Sequence, residues 1–428
     1  MFVTGNTNAL KNTTHKVVLP FYFYAAIAFL VATFFLVNSS TSFTGHFFQP
    51  HILAIAHAMA LGWGVMIILG ASHQLIPVLA ETNLYSTRLA HCSFILAAVG
   101  IPLLLYGFYF FDMGWPAQYG GILINLSIIS YIINLAGTLT ASKKTNIHAV
   151  CIFTAALWLL LTTMLGLALV YNFTYPVFSK GSLAFLPLHA HMGIIGWFLL
   201  MIIGVGSRLI PMFLISKYNY PKLLWIIYIL INAGIILFLL LFLCLPETSF
   251  YLIPVSALAA ALVLFAFYCY KAYQQRIRKG IDAPMKISLL SVLMMLLPLL
   301  ILIIIIGWMT TQRPDTRMVL LYGFVIFFGW ITAIILGMTF KTLPFIIWNK
   351  VYHGQAGDGK TPNPKDLFSS KIFRAMIAGY LLGFIVFIAG IYNTNIILLK
   401  SGAAFLLLTA ILYNCNVFKL IMHKPTSL

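Results

Sequence analysis

Twelve long apolar runs decide what this chain can fold into. They fall near 17–37, 49–79, 89–111, 119–141, 147–171, 183–214, 222–245, 250–271, 286–308, 317–347, 372–393 and 397–417. A helix that crosses a bilayer needs about 20 consecutive apolar residues. In hydrocarbon every backbone N–H and C=O must find a partner within the protein, which leaves helices or closed barrels. The runs are continuous rather than alternating at every second residue, so helices are expected. Composition closes the remaining route: 62% of the 428 residues are hydrophobic and 7% charged, against about 25% charged in a soluble domain. The prediction is an all-α polytopic membrane protein, one transmembrane domain with no separate soluble one.

The 25 Lys and Arg outnumber seven Asp and Glu. In a soluble chain that excess points to nucleic acid. Here the basic residues sit in short connections, so the excess is topological and no nucleic-acid partner is expected. Lys143, Lys144, Lys217, Lys222, Lys271, Arg276, Arg278, Lys279, Lys286, Lys350, Lys360, Lys365 and Lys371 flank the connections after even-numbered runs. The other side carries Lys180, Arg313, Arg317 and Lys400. Basic residues collect on the cytoplasmic side, which puts both termini there. Short connections and many aromatics fit a bacterial inner membrane. The five cysteines have no paired spacing and read as buried small hydrophobes rather than a disulfide framework.

One pattern occurs three times: HAMALGWGVMIILGASHQLIPVL from His57, HMGIIGWFLLMIIGVGSRLIPMFL from His191 and FVIFFGWITAIILGMTFKTLPFII from Phe324. Gly-Trp stands at Gly62-Trp63, Gly196-Trp197 and Gly329-Trp330, with a glycine seven residues and a proline fourteen residues after each tryptophan. The copies are 134 and 133 residues apart. Runs 2, 6 and 10 are therefore equivalent, and the chain divides into three four-helix units near 17–145, 146–272 and 286–417. The glycines suit close helix approach in lipid.

Twelve helices in three arcs of four, with histidines on runs 2 and 6, resemble the catalytic subunit of haem-copper oxidases. The divergent branch of that superfamily that includes the NnrS proteins is more similar still. The resemblance rests on HILAIAHAMALGWGVMIILGASHQLIPV and LHAHMGIIGWFLLMIIGVGSRLIPMF. It implies haem and copper held near the outer face by histidines of spans 2, 6, 7 and 10, and work in electron transfer or in the handling or sensing of nitric oxide. The chain departs from the family at span 7, KLLWIIYILINAGIILFLLLFL, which has no histidine, and at span 10, where Tyr322 and Phe324 stand at the haem-ligating positions. The oxygen-reducing centre cannot be assembled from matching residues, so ordinary oxidase activity is not expected.

Intramembrane histidine is costly and tends to be functional. His57 and His191 lie at equivalent places in the outer halves of spans 2 and 6. His189 is about 3 Å further out and on another face of its helix, and His51 about 9 Å further out than His57. Imidazole suits both iron and copper. The expected cofactors are a haem b, with His57 and His189 or His191 as axial ligands, and copper, with His51 as a further metal candidate. The bland alternative is polar contact between helices. His73 lies about 24 Å deeper than His57 and cannot share its site. Arg208 and Lys341 align with Gln74 at inner span ends, where long basic side chains snorkel; the sharper alternative is a quinone- or anion-facing pocket at the inner rim. Arg313, Arg317 and Lys180 are the cations available for haem propionates, against a solvated-loop reading.

None of the seven acidic residues falls mid-membrane, which argues against a carboxylate-based proton pump. No phosphate-binding loop, nucleophile elbow or HExxH motif occurs. Three functions fit these features. The first is a haem- or copper-binding redox protein, partnered by a respiratory complex, a redox protein or quinol. The second is a metal or haem transporter. The third is a cofactor-free assembly subunit of a respiratory complex.

Overall fold

The structure, a computed structural model, describes residues 15–142, 146–245, 248–277, 279–311, 315–352 and 361–425. Lys143, Lys144, Arg278, Arg313 and Lys360 lie outside these residues. The described chain forms helices and no β-strand, apart from one isolated antiparallel bridge between Ser216 and Arg276. Among the described residues twelve helices are long and apolar enough to cross a bilayer. They are α1 His15–Asn38, α2 Pro50–Ala80, α3 Thr87–Tyr109, α4 Trp115–Thr140, α5 Ile147–Tyr171, α6 Ser182–Leu214, α7 Pro221–Cys244, α8 Ser249–Gln274, α9 Ala283–Met309, α10 Thr316–Tyr352, α11 Ser370–Tyr392 and α12 Ile396–Ile421. The protein is a multi-pass membrane protein of all-α class. Every expected span is present, with ends shifted by a few residues.

Local sequence sets the helix starts. Ser86, Asn146, Asp282, Asp315, Ser369 and Asn395 each accept a backbone N–H of the first turn, satisfying donors that a helix leaves unpaired. Pro50, Pro221 and Pro284 stand in first turns, where a missing N–H is harmless.

Helices α2, α6 and α10, which carry the Gly-Trp segments, are the interior of the bundle. In their most apolar stretches 67, 72 and 78% of residues are buried, against 28–56% in the other helices. Each also changes geometry at the same place. A π-helical turn runs over Ala58–Val65, Met192–Leu199 and Val325–Ile331, around Trp63, Trp197 and Trp330. Such turns insert a residue, rotate the rest of the helix and recur at functional sites. The remaining helices wrap the three. Tyr131 of α4 donates to Ser72 of α2, Tyr268 of α8 to the Ser207 carbonyl of α6, and Tyr413 of α12 to Thr339 of α10. Asn414 of α12 donates to the Ala26 carbonyl of α1, joining the two ends of the chain.

The cysteines correct an expectation. All five are free, but only Cys151 and Cys269 are buried; Cys92, Cys244 and Cys415 are exposed. Lipid tails are as apolar as a protein core, so an apolar neighbourhood in sequence does not separate inward from lipid-facing positions.

Candidate functional site

A cavity of about 290 Å³ lies between α2, α3, α4, α5 and α6. Its walls are apolar and aromatic, with Phe108, Phe173, Trp197 and Phe198 among them, and two imidazoles, His57 and His189, line it. His57 stands seven residues into α2, about 10 Å from its N-terminal end. The rings of His57 and His189 have centres 6.2 Å apart and planes 19° apart.

The tautomer of each ring is set by its partner. His57 Nδ1 lies 2.8 Å from the Leu53 carbonyl and His189 Nδ1 lies 3.0 Å from the Thr162 carbonyl. A carbonyl oxygen only accepts, so each Nδ1 carries the proton and donates. Each Nε2 is then an unprotonated lone pair in the neutral ring. Metal-bound histidines are held this way, the far nitrogen donating to a carbonyl or carboxylate that fixes ring and tautomer. Of the other polar side chains on the cavity wall, the Trp197 indole N–H is buried without a partner among the described residues, while Asn125, Thr162, Thr163 and Ser182 are committed. Asn125 and Thr163 bond each other and neighbouring carbonyls, Thr162 donates to the Trp158 carbonyl and Ser182 to that of Leu169.

Gly166 makes the His189 position possible. A Cβ there would stand 2.8 Å from His189 Cε1. Gly166 lies one helical turn past Thr162, so its missing side chain opens the path by which the ring reaches the Thr162 carbonyl. Nothing in the run TTMLG marks it apart from the small residues common in membrane helices.

His191 does not join the pair. It too bonds its own helix, Nδ1 to the Pro187 carbonyl at 2.7 Å, but its ring faces α7 and α10. It lies 5.2 Å from the Phe238 ring, and the Tyr322 hydroxyl is 3.2 Å from its Nε2. Two residues along an α-helix turn the side chain by about 200°, so His189 and His191 serve different interfaces. His51 packs on Tyr109 with ring centres 4.7 Å apart and is 3.4 Å from Ser42 Oγ; it lines no part of the cavity. Among the described residues no three His, Cys, Asp or Glu side chains are placed to hold one metal ion. The four expected metal candidates therefore do not form one site: His57 and His189 pair, while His51 and His191 stand apart.

The remaining candidates separate in the same way. His73 is buried deep in α2 between Phe21 and Tyr131, its Nδ1 2.7 Å from the Leu69 carbonyl. Lys341 pairs with Asp282. Arg208 lines a second, polar cavity at the other end of α6. Arg317 is held by Asp315 at 2.7 Å and points toward the Tyr392 carbonyl of α11, which takes it away from the paired histidines. The Asp315 carboxyl lies below its ordinary range because it accepts hydrogen bonds from Arg317. Of the cations expected near propionates, exposed Lys180 remains, two residues before the cavity-lining Ser182.

Two donors suit one kind of centre better than another. A metal between opposed imidazoles, at about 2.0–2.1 Å per nitrogen, sets the ring centres about 6 Å apart. The His57 and His189 ring centres, 6.2 Å apart, stand at a separation of that size. A porphyrin supplies the four equatorial nitrogens itself, so axial ligation of haem iron asks the protein for two donors at most. A structural zinc site asks for four. No family model matches this chain, and no curated protein matches it.

Proposed function

We propose that this is a membrane redox protein that holds a haem b between His57 and His189 and works in electron transfer. One observation carries the reading: two near-parallel imidazoles, each with Nδ1–H anchored on a carbonyl and so with an unprotonated Nε2, line one apolar cavity. Bound there, the haem would supply a one-electron couple. The chain's own residues fix the ligand rings, and the apolar wall keeps water from the centre. With both His57 and His189 committed to holding it, the group would have no free place for a gas, which favours electron transfer over nitric oxide handling. Copper takes imidazole as readily as iron, so the metal count belongs to the test. The donor in this reading is quinol or a respiratory partner. The protein sits in a bacterial inner membrane, termini cytoplasmic, as three four-helix units.

The test is an oxidised and a dithionite-reduced optical spectrum of the detergent-purified protein, with iron and copper counted on the same sample. Sharp reduced bands with about one iron per chain are expected. A featureless spectrum without metal overturns the proposal and leaves a cofactor-free assembly subunit. Substoichiometric, exchangeable metal with flux in proteoliposomes identifies a transporter instead.

A further inference from the structure

The second cavity, of about 250 Å³, opens at the basic end of the bundle, where the end of α6 meets the start of α5 and the end of α8. Arg208 and Lys217 line it, with Ser216, Tyr218 and Asn219 of the α6–α7 connection. No Asp or Glu does. Its floor is internally satisfied. His148 Nδ1 donates to the Gly204 carbonyl at 3.1 Å, Ser207 Oγ donates to the same carbonyl, and Tyr268 donates to the Ser207 carbonyl. The rim is not. Among the described residues neither the Arg208 guanidinium nor the Lys217 ammonium has a hydrogen bond or an ion pair. Ser216 Oγ accepts from the Tyr218 N–H, which leaves its own O–H to donate.

The three Gly-Trp helices supply a control on this arrangement. Eleven residues after each tryptophan stand Gln74, Arg208 and Lys341. The first is neutral. The third has its counter-ion, Asp282 at 2.6 Å, and lies 5.0 Å over the Phe213 ring. Arg208 has the cavity and no acid, and the Asp282 carboxylate is taken by Lys341. The backbone around the rim is fixed: Ile277 N–H donates to the Ile215 carbonyl beside the Ser216–Arg276 bridge, and Arg276 packs 3.9 Å from the Tyr273 ring centre. Burial first, and then Tyr220, holds the Tyr218 hydroxyl above its ordinary pKa, so it stays a donor.

We propose that this cavity binds a phosphate group, clasped by Arg208 and Lys217 with Ser216, Tyr218 and Asn219 as further donors. The guanidinium fork matches phosphate oxygens in pairs, and Lys217 adds a point charge. At a membrane face the phosphate comes either from an anionic lipid headgroup or from a soluble phosphate. The phosphate cavity shares no residue with the histidine pair and does not depend on it.

Delipidated full-length protein in detergent would be titrated with phosphatidylglycerol by native mass spectrometry and with inorganic phosphate by calorimetry. Binding of one phosphatidylglycerol without phosphate identifies the headgroup as source; binding of phosphate identifies a soluble anion. In either case Arg208→Gln with Lys217→Gln should weaken binding about tenfold or more, and exposed Lys222→Gln should leave it unchanged. Lys217→Gln alone, an exposed loop change that leaves the fold intact, should weaken it about threefold. Failure of folded wild-type protein to bind either probe overturns the proposal, as does equal binding by the Lys217→Gln and Lys222→Gln variants.

Discussion

The interface between α2 and α6 and the interface between α6 and α10 are built from the same two sequence positions and end in different chemistry. In the first, the sixth residue before Trp63, His57, faces the eighth residue before Trp197, His189. In the second, the sixth residue before Trp197, His191, faces the eighth before Trp330, Tyr322, with ring centres 5.9 Å apart and planes 29° apart. The stagger is the same and the rings stand at nearly the same separation. In the first pair both Nε2 atoms are unprotonated, so neither ring can donate to the other. The second brings a lone pair to a hydroxyl, and they bond at 3.2 Å. At the third corner Phe324 holds the position of His57 and stacks on Phe387 at 4.4 Å. One backbone arrangement thus yields an unmet demand for an electrophile, a closed hydrogen bond and a packed apolar corner. A single side chain in each pair decides which.

The comparison breaks most plainly by removing each histidine in turn. His57→Ala or His189→Ala should lower bound iron to below about a tenth of wild type, since even outer-shell partners of a ligand are worth 10–100-fold. His191→Ala should retain iron and spectrum, because its Nε2 is occupied by Tyr322. Equal loss of iron in all three variants would show that the two interfaces do not differ in the way their geometry implies.

How much was legible in the sequence depends on which forces act along the chain and which act across it. The bilayer dictates run lengths, so all twelve spans could be placed, and the spacing around Trp63, Trp197 and Trp330 marked as equivalent the three helices whose interior position only the structure shows. The expense of intramembrane imidazole singled out His57, His189 and His191. The choice between His189 and His191 was not legible, because it depends on how α6 is rotated against α2 and α10. That rotation is set by packing and by the π-helical turns, which have no sequence mark beyond Gly-Trp. Arg317 looked available for a propionate because a sequence places it at the right depth but not on the right side of the bundle. Gly166 and the Thr162 carbonyl, which seat His189, were invisible: one is a glycine among many and the other a backbone atom.

Gly166 therefore offers a second and smaller test. Gly166→Ala would put a methyl group 2.8 Å from His189 Cε1, and overpacking of this kind costs about 1–3 kcal/mol. Against it stands the roughly 1 kcal/mol by which Ala exceeds Gly in a helix interior. Stability should fall only slightly, while the ring is pushed off the Thr162 carbonyl and iron occupancy drops. Gly193→Ala is the control on the facing helix, where the added Cβ meets Thr162 Cγ2 at 3.2 Å and no ligand ring. Iron lost from both variants alike would make the effect one of general packing and not of His189 placement.

The smallest effect is expected at the closed interface. Tyr322→Phe deletes the hydroxyl that satisfies His191 and leaves the ring in place. Interhelical hydrogen bonds in membranes average about 0.6 kcal/mol, so thermal stability should fall by that order, with iron content and the reduced spectrum unchanged. The variant also exposes the logic of the pair. With the Tyr322 hydroxyl gone, His191 Nε2 becomes a second uncommitted lone pair, but it faces Phe238 and a phenyl ring rather than another imidazole. A single neutral nitrogen in that setting lacks the opposed donor that a bis-imidazole centre needs, so no additional iron should bind. If Tyr322→Phe gained iron, one imidazole would suffice for capture in this bundle. The opposition of His57 and His189 would then cease to be the feature that distinguishes the two interfaces.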